Sequence, residues 1–267
     1  MSTEALHAAE IVKSHLGVVA PESAIVLGAG LYGAADIVDE CRIVLPYAEL
    51  PGFPRTPASE DGELAVCHVD GAPTLVLKGR ADFHEMGDPS LMSNVVETLA
   101  LSGVRSLISI GFANSVNPAL SPGAVVAISD HIDFKGLNPL IGAGRDGAFL
   151  NMNEVYDKRQ LRRLKYAASG AGASLHEGVL AWMSGPTFET VAEARAVRIL
   201  GADLVGMSIV PEAILAKRFR LPFAGVAVVL DFAAGVSGGA PDGDFASAPV
   251  AAALVQLKRL LRACLKK

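Results

Sequence analysis

The stretch Ser184–Ala213, SGPTFETVAEARAVRILGADLVGMSIVPEA, decides how this chain is read. Gly185-Pro186 signals a turn. Thr190 followed by Glu193 has the spacing of a capping box and predicts a helix running to about Leu200. Gly201 stops that helix, Leu204–Met207 reads as a short buried strand, and Ser208 stands before Pro211-Glu212, where a second helix begins. Two polar side chains, Glu189 and Ser208, therefore come to the mouths of elements whose other residues are mostly apolar. Helix N-termini carry free N–H groups and partial positive charge, so this geometry suits an anionic group.

Working outward, strand and helix patterns alternate on both sides. An amphipathic helix is predicted over about 3–16, then a strand at Ala24–Leu27 running into the turn Gly28-Ala29-Gly30-Leu31-Tyr32-Gly33. Glycines there let a backbone approach an anion closely, although the spacing does not match a dinucleotide-binding fingerprint. Strands follow at about 42–45, 64–69 and 73–78, with a loop at Pro51–Glu63. The run Lys78–Pro89, dense in mixed charge directly after an apolar strand, marks the carboxyl edge of a sheet, where open α/β folds place ligands. A helix over about 90–102 precedes a strand at 105–110 and the small-residue run Gly111-Phe112-Ala113-Asn114-Ser115. A strand at 124–129, a loop at 135–152, a helix at 153–169 and a strand at 177–183 lead into the opening stretch. A strand at 222–230, a loop at 231–245 and a final helix complete the chain. This order predicts an α/β sandwich, a mixed central sheet flanked by helices, in one domain over 1–267.

Composition narrows the class. A chain of 267 residues with 51% hydrophobic content buries a large core. A net charge of −5 argues against nucleic acid as partner, since that requires a basic face. Cys41, Cys67 and Cys264 lie far apart without CxxC pairing, which predicts reduced thiols in a cytoplasmic protein and no metal site. The N-terminal run has helical periodicity rather than a signal peptide's pattern, and Pro222–Val236 is too short to cross a membrane. A soluble protein is expected.

The blocks SGPTFETVAE (Ser184–Glu193) and GADLVGMSIVPE (Gly201–Glu212) closely resemble those of trimeric purine nucleoside phosphorylases. So do Leu50–Arg55 (LPGFPR), Gly79-Arg80, Asn117-Pro118, Asp130-His131-Ile132 and Asn138-Pro139, in the same order over about residues 24–232. The resemblance implies a phosphorylase-like α/β fold and a homotrimer. It also implies reversible cleavage of a purine nucleoside by inorganic phosphate, giving base and pentose 1-phosphate with no further cofactor. Carried over residue by residue, it implies that Glu189 accepts hydrogen bonds from a 6-oxopurine and that Phe188 stands beside the base. Val205 and Met207 would line base and ribose, together with Ala113. Arg80 and Ser208 would bind phosphate, and Phe149 would be lent to a neighbouring subunit's ribose pocket. A guanidinium fork and a hydroxyl suit a tetrahedral dianion. Ser208 as a plain helix cap and Phe149 as ordinary core are the competing readings.

Departures from the family pattern concentrate on the phosphate side. Ala29 stands where the family has a phosphate-binding serine, and Ser59-Glu60-Asp61 where it has a histidine. The family's RFH becomes Arg80-Ala81-Asp82-Phe83-His84, with His84 the candidate for the missing imidazole. Gly111-Phe112 replaces a turn that offers a backbone N–H to phosphate, and no histidine follows His176. Each lost charge-assisted bond costs on the order of 1.5–3 kcal/mol. At the base end Leu230-Asp231 replaces a threonine-asparagine pair. A carboxyl in that apolar setting is expected to titrate high and to act on N7 of the departing base, as an aspartate does in methylthioadenosine phosphorylases. Three readings stay open: a phosphorylase with Asp231 and Glu189 on the base, a nucleosidase in which Glu60 or another acid activates water, and a non-catalytic purine binder.

Overall fold

The computed structural model describes residues 1–16, 20–32, 34, 40–55, 62–69, 71–142, 149–237, 241 and 243–266. Nine strands are described: β1 (Ser23–Leu27), β2 (Glu40–Pro46), β3 (Glu63–Val69), β4 (Ala72–Lys78), β5 (Leu107–Ser115), β6 (Val125–Asp133), β7 (His176–Trp182), β8 (Leu204–Gly206) and β9 (Phe223–Phe232). They form one mixed sheet in the order β2-β3-β4-β1-β5-β8-β7-β6-β9. Strand β5 also pairs in parallel with β9, so the second half of the sheet closes on itself as a small barrel. The helices are α1 (Thr3–Leu16), α2 (Phe83–Met86), α3 (Ser93–Leu101), α4 (Lys158–Ala171), α5 (Val191–Ile199), α6 (Val210–Arg218) and α7 (Ala248–Leu265).

The helices lie on both faces, each against an apolar cluster of its own. Val12 of α1, Val95 and Leu99 of α3 and Ile214 of α6 pack with Leu75, Leu107 and Val229 on one side. Leu164 of α4 and Leu257 and Leu261 of α7 pack with Ile25, Ile108 and Val226 on the other. Alternate residues of β1, β5 and β9 thus feed opposite layers, the period-two rule of a strand buried on both faces. The expected α/β sandwich is the fold observed.

The structure moves several expected boundaries, for physical reasons. Strands β5 and β6 run past 110 and 129, because the small and polar residues at their ends still find partners. Asn114 pairs with Val205, and Ser115 with Leu204 and Phe232. Helix α4 begins at Lys158 rather than 153, because Asp157 accepts the N–H groups of Arg159 and Gln160 and caps it there. The capping box at Thr190 and Glu193 opens α5 as predicted.

The cysteine expectation needs correction. Strands β2 and β3 pair antiparallel with Cys41 directly opposite Cys67, and the two form a disulfide. Residues 26 apart in sequence become neighbours only through strand register, which spacing alone does not reveal. Cys264 is a buried free thiol.

Candidate functional site

The carboxyl ends of β5, β7 and β8 meet the loop after β4 around a cavity of about 200 Å³. Its wall is mostly apolar, with a few convergent polar groups, as expected of a small-molecule site. Phe188, Glu189, Met183, Ala113, Asn114, Val205 and Met207 stand on it together with Ala29, Arg80, His84 and Ser208.

The base of the cavity is fixed by backbone exchange between strand ends. The Met183 N–H donates to Gly206 O at 2.8 Å, and Trp182 Nε1–H donates to Met207 O at 3.1 Å. The turn at 185 must be glycine: φ is +62°, and a Cβ there would lie 2.4 Å from Met207 Sδ. The chain then delivers Glu189 into the wall just before the α5 cap. Glu189 is 7% exposed, and its Oε1 has no hydrogen-bond partner among the described residues. Burial pushes its carboxyl above the ordinary glutamate range, against the pull of the Glu189 and Ala234 N–H groups. A buried acceptor without a partner is costly in the empty protein, which marks it as a group waiting for a donor.

Arg80 is positioned differently, with most of its fork already used. It follows Gly79, whose φ of +110° only glycine adopts readily and whose carbonyl accepts the Tyr47 hydroxyl at 2.8 Å. Its Nε donates to Asp82 Oδ1 at 3.1 Å, and Nη1 donates to Ser109 Oγ at 3.1 Å and Ile110 O at 3.3 Å. Glu212 Oε1 lies 3.6 Å from Nε, and neither Glu212 oxygen has a hydrogen-bond partner among the described residues. Burial works against the Arg80 charge, but Asp82 and Glu212 outweigh it and hold the guanidinium above its usual value. Burial likewise raises the Glu212 carboxyl, with Arg80 opposing.

What remains of the fork is Nη2, and it points at two glycines. A Cβ on Gly28 would lie 2.4 Å from Nη2; one on Gly111 would lie 3.2 Å from it and 2.4 Å from Ser208 Oγ. These glycines leave room for Nη2 and Ser208 Oγ to converge on one point. Ser208 is not the cap of α6. That place belongs to Ile209, a β-branched residue at φ +73°, a strained conformation costing on the order of 1–3 kcal/mol. His84 lines the same cavity, its Cβ beside Gly185 and its Nδ1 buried and without a partner among the described residues.

Two expected residues are not brought to this wall. Leu230 lines the cavity, and Asp231, its neighbour along β9, does not. Asp231 Oδ1 is engaged by the Phe232 N–H at 2.7 Å, at a bulge where the step from Ala113 to Ser115 on β5 opposes the longer step from Val229 to Phe232 on β9. Phe149 is 98% exposed and also stands off this wall. Glu60, with residues 56–61, lies outside the described residues.

Other wall residues were not anticipated as ligands. Asn114 and Met183 sit at apolar strand ends, a position that carries some signal; Phe245 carried none, being remote in sequence. The rings of Phe112 and Phe245 pack at 5.0 Å, with Phe112 Cε2 3.1 Å from where a Gly30 Cβ would be.

The family model of the phosphorylase superfamily matches residues 22–266. The purine nucleoside phosphorylase 1 of Geobacillus stearothermophilus is 36% identical over 220 residues, covering 81% of this chain and 80% of that protein. The purine nucleoside phosphorylase of Mycobacterium leprae is 37% identical over 236 residues, covering 88% and 85%. The crystal structure of a schistosoma purine nucleoside phosphorylase in complex with hypoxanthine superposes with a TM-score of 0.87 at 25% identity, covering 100% of this chain and 98% of that one. By sequence over most of its length and by fold over all of it, the chain belongs to the purine nucleoside phosphorylase family.

Proposed function

We propose that the cavity joins a purine nucleoside to inorganic phosphate and catalyses reversible phosphorolysis, releasing free base and pentose 1-phosphate. One observation carries this reading. A single cavity holds a buried carboxylate oxygen awaiting a donor at one end, and a guanidinium Nη2 converging with a serine hydroxyl at the other. The first matches the N1–H of a 6-oxopurine and the second an oxyanion; a pentose fits between them.

In this reading Arg80 Nη2, Ser208 Oγ and His84 hold phosphate, beside the bare methyl of Ala29. A phosphate oxygen attacks C1′ as the C1′–N9 bond breaks and its electron pair moves into the base. Held in line, the two reactants need no collision, and most of the gain comes from that positioning. Phe188, Val205, Met207 and Ala113 enclose base and sugar and exclude water. Glu189, ionised, takes the N1–H hydrogen bond, which strengthens as negative charge spreads over the base. The Asn114 carboxamide on the wall is a neutral side-chain donor available to the base. The reaction uses phosphate as co-substrate and needs no metal or organic cofactor.

We also read the protein as a cytoplasmic homotrimer in which Phe149 completes a neighbour's pocket; its 98% exposure suits a side chain whose partner surface is another subunit. Among the described residues no helix is long and apolar enough to cross a membrane. Assay of inosine, guanosine and adenosine with and without phosphate tests the reaction. Phosphate-dependent release of base with pentose 1-phosphate is the expected result. Release without phosphate would replace it with hydrolysis, and no release with a non-catalytic role.

A further inference from the structure

The anion end of the cavity contains its own counter-charge. Arg80 is the only lysine or arginine among the described residues of the wall, and Asp82 and Glu85 stand on the same wall. Asp82 holds Nε at 3.1 Å, and Glu212 stands behind it at 3.6 Å. A phosphate dianion arriving at Nη2 therefore meets a guanidinium already paired with a carboxylate. Beyond Ser208 and His84, the neighbouring residues add no side-chain donor. Ala29 offers no hydroxyl, and Phe112 and Phe245 present rings beside the Gly30 turn.

Asp82 does two jobs, neither of which needs a charge. Its Oδ1 accepts from Arg80 Nε, which fixes the plane of the guanidinium. It also stands at the N-cap position of α2, where Glu85 Oε2 accepts the Asp82 N–H at 3.0 Å and the Asp82 carbonyl accepts the Glu85 N–H at 3.1 Å. An asparagine can do both, since it caps helices as well as aspartate and keeps a carbonyl oxygen in the same place. What the carboxylate adds is one negative charge a few ångströms from the incoming anion.

We propose that Asp82 is a positioning residue that also sets a deliberately weak phosphate subsite: it aims Arg80 and cancels its charge at once. The inference rests on the phosphorylase reading and says what kind of phosphorylase this is. A site that stays unsaturated lets turnover follow phosphate supply over a wide range instead of levelling off. The same carboxylate weakens binding of the pentose 1-phosphate product and so favours its release.

The isosteric Asp82→Asn variant separates charge from geometry. Its KM for phosphate should fall about tenfold, a modest share of what one charge at this range exerts at an effective dielectric near 20. The KM for nucleoside should stay where it is. Asp82→Ala, which loses the acceptor for Nε, should not share this gain. An unchanged or higher phosphate KM in Asp82→Asn would overturn the proposal and leave Asp82 a plain orienting group. Equal gains in both variants would overturn the positioning half. The rise in melting temperature caused by inorganic phosphate alone, in parent and Asp82→Asn, reads the same affinity without turnover. If the parent cleaves no nucleoside, the phosphorylase reading fails by itself, and a larger phosphate-induced rise in Asp82→Asn still upholds the charge argument; an equal or smaller one overturns it.

Discussion

The two ends of the cavity are built on opposite principles. At the base end, apolar side chains from the ends of β5 and β8 and from the loop after β7 surround one carboxylate left short of a partner. At the anion end Arg80 is already bonded to Asp82, Ser109 and Ile110, only Nη2 faces the space shared with Ser208, and the oxygens without a hydrogen-bond partner among the described residues are those of Glu212 behind the guanidinium. The base end stores an unmet demand that a ligand relieves. The anion end is preorganised and pays for its rigidity with charge. Specificity for a base is thus expected to be sharp, and affinity for phosphate modest.

Removing Arg80 should break the contrast most severely. Arg80→Ala strands Glu212 and Asp82 as unpaired carboxylates, a loss on the order of 3–5 kcal/mol in stability. Phosphate should then no longer raise the melting temperature, and phosphate-dependent turnover should vanish. A variant that keeps either property would show that the anion lies elsewhere.

Glu189→Gln comes next and sharpens the other end. It should lower kcat/KM for inosine by roughly 10- to 100-fold, the worth of a charge-assisted bond, without moving the phosphate KM. Its stability should change in the opposite sense. Glu189 titrates above its ordinary value in the folded chain, so its contribution to stability is full below the unfolded value and is lost as pH rises through the folded one. At neutral pH the ionised, desolvated carboxylate is therefore a net cost. The variant should melt higher than the parent at neutral pH, with the gap closing as pH falls below the ordinary glutamate range. Melting curves across that range decide the sign.

Gly111→Ala probes the anion end more gently. The added methyl collides with Ser208 Oγ and crowds Arg80 Nη2, so the phosphate KM should rise about tenfold while hypoxanthine binds as before. A loss of base affinity would mean that the two ends are mechanically coupled. The smallest effect on the cavity is expected from reducing the Cys41–Cys67 bond. Neither residue lines the wall, so turnover should hold, while opening a loop of 26 residues lowers stability by about 3.5 kcal/mol in the chain-entropy picture. Thermal melts and assays with and without reductant test both statements.

The opening stretch was legible because its information is local. The α5 capping box, the turn at 185–186 and the helix after Ser208 each depend on residues within a few positions of one another. Glu189 and Ser208 of the wall followed from its pattern, and Phe188, Val205 and Met207 in the same stretch from resemblance. Arg80, Ala113, Ala29 and His84 joined through resemblance, and the structure brings them to the same cavity. Asp231 is a different case: residue type suggests what a side chain can do, but a bulge between Val229 and Phe232, set by pairing with β5, decides where it sits.

The sequence by itself determined the alternation of strands and helices, the helix caps and the chemical inventory of the site. Those depend on side-chain period, backbone freedom and short-range hydrogen bonds, all set by neighbours in the chain. Only the tertiary structure decided that Cys41 meets Cys67 and that Asp82 and Glu212 share one guanidinium. Each of these turns on register and crossing between elements remote in sequence, where a shift of one residue reverses which face a side chain presents.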